Sequence, residues 1–104
     1  GIVAPPVTEA SRLRSFAVRG TPALPPVEFQ VDLTPGSSVP AGLVLFDIQG
    51  RRLAQPFADR LATGEARLVW DGRDRTGRPA PAGVYFVRFK LGGHTQTRRV
   101  VLAR

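Results

Sequence analysis

Three aspartates sit beside glycines in this chain: Asp47 in "FDIQGRRL", and Asp71 and Asp74 in "WDGRDRTGRPAPAGVYFVRF". Two kinds of chemistry start from such carboxylates. Paired acids share a proton and work as general acid and base, a role open to Asp47 and Asp71 only if the fold brings them together. Closely spaced acids also hold calcium, which takes about six to eight oxygen ligands. The second stretch offers Asp71, Asp74 and the Thr76 hydroxyl, but it sets Arg73, Arg75 and Arg78 among them. That surplus of positive charge opposes a cation. A structural role fits the residues better. Asp accepts backbone N–H groups in turns, and Gly50, Gly72 and Gly77 supply backbone conformations closed to other residues. In that role Asp71 locks a corner that Trp70 anchors from below.

The rest of the reactive inventory is thin. There is no Cys, which removes disulfides, thiolate metal sites and thiol nucleophiles together. His94, the only His, follows the Gly92-Gly93 turn and is expected in solvent. No serine stands in a Gly-x-Ser-x-Gly elbow. The chain is therefore expected to be no enzyme and to use no metal or cofactor. The formal net charge is +7, and of fifteen basic residues only Lys90 is a lysine. Such a surplus suits anionic surfaces. The arginines are scattered, however, and no motif organises them for nucleic acid. Their abundance alongside Ala, Pro and Gly reads as the codon bias of a GC-rich genome, and no nucleic-acid partner is expected.

The elements that must position these residues are strands. The 42% hydrophobic share allows a core, and no run approaches the roughly 20 apolar residues of a membrane helix. Gly1 opens the sequence without a signal peptide, which reads as a processed product or fragment with any export signal upstream. Residues 1–10, "GIVAPPVTEA", read as an extended arm or linker, and residues 11–104 as one domain. "RLRSFAVRG" is the first strand, centred on Phe16. "VEFQVDL" alternates, with Val27, Phe29, Val31 and Leu33 on one face. "TPGSSVPAG" reads as a loop. "LVLF" and "RRLAQPF" are strands joined by a tight turn at Asp47 to Gly50. "ARLVW" places Leu68 and Trp70 together. "VYFVRFKL" puts Tyr85, Val87, Phe89 and Leu91 on one face and Phe86, Arg88 and Lys90 on the other. "TQTRRVVLAR" is the last strand, with Val100 and Leu102 inward. Pro and Gly leave no room for an ordinary helix. Strands about ten residues apart predict an all-β, immunoglobulin-like antiparallel sandwich of about seven strands.

The order of these pieces resembles a family. An apolar strand leads to Asp-x-x-Gly-Arg, here Asp47, Gly50 and Arg51. Trp-Asp-Gly-x-Asp-x-x-Gly follows, here Trp70, Asp71, Gly72, Asp74 and Gly77. Then come Gly-x-Tyr, at Gly83 and Tyr85, and a basic-apolar final strand from Arg98 to Leu102. This pattern, over residues 27–104, is similar to the immunoglobulin-like module of flagellar hook-capping proteins and of C-terminal sorting domains of exported bacterial proteins, including those read by the type IX secretion system. Where such domains open with Asn-Pro, this chain reads "GTPALPPVEF". The resemblance implies a module outside the cell or on its surface, with secretion or anchoring machinery as its protein partner.

Two surfaces are candidates for that partner. The final strand, Thr97 to Arg104 with Arg98 and Arg99, would be displayed as a recognition edge. Val84 and Phe86 face away from the Tyr85 side, and a strand apolar on both faces needs a cover. The arm, through Ile2 and Val3, would supply one by strand addition, within one molecule or between copies in a homo-oligomer.

Overall fold

Period-two alternation becomes burial. The computed structural model describes residues 12–62 and 64–104, and the arm with Ile2 and Val3 lies outside them. Strand β1 is Leu13–Arg19, β2 Val27–Leu33, β3 Val39–Phe46, β4 Arg52–Leu61, β5 Gly64–Trp70, β6 Gly83–Leu91 and β7 His94–Leu102. Every second residue of β2 is buried, from Val27 to Leu33, and so is every second residue of β6, from Tyr85 to Leu91. One sheet has the order β1-β2-β5 and the other β4-β3-β6-β7, all neighbours antiparallel. The fold is the expected immunoglobulin-like sandwich. Phe16 of β1 joins the layers, stacking on Phe29 at 6.1 Å and across the core on Phe89 at 4.9 Å. No residue classed as buried among those described is polar or charged, although the Nε of half-buried Arg12 is covered and finds no hydrogen-bond partner among them.

In a constant-type immunoglobulin domain the fourth strand lies in the sheet of the first, second and fifth. Here it pairs with β3 instead. The short turn at Asp47 is the cause, because a tight hairpin joins only strands adjacent in one sheet.

Two boundaries differ from those read in the sequence. Val39 to Gly42, expected in a loop, begin β3, and Val39 is buried. Pro40 and Gly42 read as breakers. Yet Pro40 lies one step past the end of the β6 ladder, where its carbonyl accepts from Gly92 N–H, so its missing N–H interrupts no ladder bond. β4 likewise continues past Phe57 to Leu61. Pro56 is tolerated because β4 is an edge strand and its pairing with β3 is shifted there, between the Leu43 and Leu45 partners.

Candidate functional site

The aspartates are turn residues, and two of them make the same turn. In Asp47–Arg51 the Asp N–H donates to the Arg51 carbonyl at 3.0 Å, and Gly50 N–H returns to the Asp47 carbonyl at 3.0 Å. Asp47 Oδ1 accepts from the N–H groups of Gln49 and Arg51, both at 2.9 Å. Asp74–Arg78 repeats this. Asp74 N–H donates to the Arg78 carbonyl at 2.8 Å, Gly77 N–H to the Asp74 carbonyl at 3.0 Å, and Asp74 Oδ1 accepts from Thr76 and Arg78 N–H at 2.8 and 3.1 Å. Gly50 and Gly77 have φ of 81° and 87°, the left-handed values the turn demands. The sequence signal for this shared turn is the repeated string D-x-x-G-R, "DIQGR" at 47–51 and "DRTGR" at 74–78.

The second turn sits on a built corner. Trp70, at the end of β5, is 1% exposed. Its indole N–H donates to the Arg73 carbonyl at 2.9 Å, and its ring meets Tyr85 edge to face at 5.7 Å. Asp71 Oδ1 accepts from Arg73 N–H at 2.9 Å. The Tyr85 hydroxyl donates to the Pro81 carbonyl four residues upstream, a tyrosine-corner geometry. Arg104, which no motif or periodicity singles out, reaches back to the carbonyls of Gly72 and Ala80. Gly72, at φ 78°, is buried beneath it, and a Cβ there would lie 2.8 Å from Pro25 Cγ. Gly83, which precedes β6 residue Val84, has φ of 154°.

These groups are committed to structure. Hydrogen bonds from Arg51, first from its backbone N–H and then from its side chain, hold the Asp47 carboxyl below the usual carboxylate range. The Thr76 hydroxyl at 2.6 Å, helped by the Arg78 and Thr76 N–H groups, does the same for Asp74. Both are ionised at neutral pH and unsuited to donate a proton. Burial pushes the Tyr85 phenol up, which keeps it a donor. An open groove of about 480 Å³ runs beside Trp70, lined by Ala54, Gln55, Pro56, Asp71, Arg73 and Arg75 among others, with no Ser, Cys or His. Among the described residues no three His, Cys, Asp or Glu side chains gather as a metal cluster would need.

The last strand divides in two. Val100 and Leu102 are buried, Val101 carbonyl accepts from Ala23 N–H, and Ala103 N–H donates to the Ala23 carbonyl. With Arg104 latched, the segment Val100 to Arg104 is sealed. The displayed edge is thus not Thr97 to Arg104 as expected but His94 to Arg99, every residue of it exposed. The reason is the Pro-rich connection before β2, which lies parallel along the end of β7 through Ala23. Arg99 lies opposite Phe86 on the outer face of the sheet, and Arg98 lies on the inner side with its guanidinium 6.0 Å from the Phe16 ring. Val84 and Phe86 are 38% and 37% exposed, and Ile48 stands beside them at 71%.

The same sandwich occurs in two proteins of Porphyromonas gingivalis. The dimeric latent form of PorU matches with a TM-score of 0.71 at 16% identity, over 85% of this chain and 9% of PorU. PorZ, an essential bacterial surface component of the type IX secretion system, matches with a TM-score of 0.58 at 24% identity, over 92% of this chain and 12% of PorZ. The Pseudomonas fluorescens alkylpurine DNA glycosylase AlkC, in complex with DNA, matches at 0.50 and 16% identity, over 89% of this chain and 30% of AlkC. The chain therefore spans about a tenth of the length of PorU and PorZ. At these identities the likeness is one of fold. No family model and no curated protein sequence matches.

Proposed function

We propose that the chain is a non-catalytic interaction module, a C-terminal sorting or anchoring domain of an exported bacterial protein that acts at or outside the cell surface. The observation that carries this reading is the fit of nearly the whole chain to a small part of PorU and PorZ. A sandwich that recurs inside two much larger proteins of one bacterium, one of them a surface component of the type IX secretion system, has the character of a portable unit. The residue chemistry agrees, since its aspartates are spent on turns and its aromatic pair on a corner. Several arginines are likewise spent inside the molecule. Arg51 pairs with Asp47, Arg60 binds Ser38, Arg73 binds the Gly77 carbonyl and Arg104 the corner. In this reading the partner is a protein and not nucleic acid.

A reporter enzyme carrying this chain at its C-terminus, expressed in a bacterium with a type IX system, tests the proposal. The reporter should reach the surface or medium, and should stay inside when the chain is removed. Retention of both forms defeats it.

The exposed half of β7 and the Val84–Phe86 patch also favour a second reading, a self-associating cap, scaffold or filament subunit in which the arm residues Ile2 and Val3 add to a neighbour. Mass in solution separates the two. Polymers that revert to monomers on deletion of residues 1–10 support the subunit, and a monomer at high concentration eliminates it.

A further inference from the structure

A sandwich of two open sheets has four edge strands, and each edge is a template for another strand unless something blunts it. Here the edges are β1, β5, β4 and β7. The pairing of β1 with β2 is interrupted between Leu13 and Ser15. β4 carries Pro56 and two register shifts, and its Leu53 carbonyl is taken by Arg75 N–H from the corner loop. β5 is shorter and lies against β4 beside the groove at Trp70. β7 differs from all of these. It is nine residues long, contains no Pro or Gly, and pairs with β6 without a shift from Leu102 to His94.

Its open groups can be assigned. Val101 and Ala103 turn their backbone outward to Ala23, so Arg99, Thr97 and Thr95, alternating with them, turn the same way. Among the described residues these outward groups find one partner, the Arg98 side chain folded back on the Thr97 carbonyl at 3.1 Å. The two faces beside the edge differ. On the inner side a cleft of about 130 Å³ opens between the sheets, lined by Leu13, Phe89 and Leu91 and by His94 to Gln96. On the outer side Arg99, Arg88 and Lys90 stand on β7 and β6, and neither strand contains a carboxylate.

Building on the reading of the chain as a protein-interaction module, we propose that β7 accepts an extended segment of a partner protein as a fifth strand of its sheet, paired to Thr95, Thr97 and Arg99, and that this segment alternates apolar residues with acidic ones. The apolar side chains enter the cleft beside Leu13 and Phe89. The acidic ones lie on the outer face against Arg99, Arg88 and Lys90. Main-chain bonds supply the attachment and the alternation supplies the selectivity. A second β7 suits the edge less well, because it would bring two more arginines and no carboxylate to a face that already carries Arg99, Arg88 and Lys90.

The test uses the full chain and two acetylated peptides, one alternating valine with glutamate and one alternating valine with lysine. Amide exchange is followed residue by residue. Thr95, Thr97 and Arg99 amides should exchange quickly in the free protein and slow down with the glutamate peptide alone. Arg99→Glu should weaken that peptide about tenfold or more and favour the lysine peptide. Thr97→Pro, which removes an outward N–H that the sheet does not use, should abolish binding while the melting temperature stays near that of the parent. Amides already slow in the free chain would mean that the edge is covered, and the proposal falls. It falls equally if both peptides bind alike, or if Thr97→Pro still folds and still binds. Neither readout depends on export, so a chain that exports a reporter but ignores the peptide refutes only the strand addition. A chain that binds the peptide but exports nothing refutes only the sorting role.

Discussion

The turns at Asp47 and Asp74 share one backbone and one side-chain pattern, yet they have different employment. The first is the whole connection between β3 and β4, and its carboxylate is closed from outside by Arg51 Nε at 2.8 Å. The second is the tip of a twelve-residue excursion from Asp71 to Ala82, closed by the Thr76 hydroxyl and tied to the body at several points. Trp70 holds it from below, Arg104 from the side, and Arg75 N–H reaches Leu53 of β4 at 3.2 Å. Five residues suffice to specify the turn. What the turn is used for depends on residues far away in the chain. Chemistry at the first should therefore be nearly local, and chemistry at the base of the second should be felt by the whole domain.

Trp70→Ala would break the comparison most directly. Truncating a fully buried Trp costs about 3–5 kcal/mol, against the roughly 5–15 that hold a domain together. The variant should fail to fold or melt far below the parent, and a melting temperature within a few degrees would show that the corner does not rest on Trp70. Gly72→Ala comes next. The left-handed backbone alone costs about 1–2 kcal/mol for a residue with a side chain, and the new methyl would press on Pro25. Gly50→Ala and Gly77→Ala, where a Cβ meets nothing within 4 Å, should lose only the backbone part and should match each other. Equal losses at all three would sink the idea that the corner is packed where the turns are not. Arg104→Ala should cost about 1 kcal/mol, less than a buried charged bond because the side chain is partly in water. It should speed amide exchange in the corner loop before it changes β3 or β4.

Smaller effects separate the aspartates. Both folded pKa values are lowered, so each carboxylate stabilises the fold above its unfolded pKa, near 4, and that contribution is lost as pH falls through the folded value. Melting followed from pH 6 to pH 2 should show an acid limb that flattens in Asp47→Asn and in Asp74→Asn. An unchanged limb in both would mean the turns are held by backbone alone. A calcium chelator should leave the melting curve where it was, and a drop that calcium reverses would overturn the structural account of Asp71 and Asp74.

Most of the sandwich was legible in the sequence because its strands alternate. Val27 to Leu33 and Tyr85 to Leu91 state their faces residue by residue, and Trp70, the lone Trp beside Asp-Gly, announces a corner. What the residues concealed came from distance along the chain. Nothing local marks Ala23 as a partner of the last strand, since its bonds are backbone bonds that any residue except Pro can make in full. Arg104 looks like one more surface arginine until the fold brings Gly72 and Ala80 beneath it. The edge at His94 to Arg99 was placed too late by several residues for the same cause. Alternation says which way Val100 and Leu102 point, but not that a Pro-rich segment from the other sheet will lie beside them. Pro40 and Pro56 misled in the opposite direction, because their effect depends on whether the N–H they lack had a partner.

The latch at Arg104 also sets a schedule. A chain made from its N-terminus presents Trp70 and Tyr85 well before the residues that fasten the loop above them have been joined to it. The edge of the four-stranded sheet arrives late as well, since β7 is the final strand. Pairings so distant in sequence close slowly. A polypeptide made in that order can fasten its corner and complete its four-stranded sheet only once β7 and Arg104 are present.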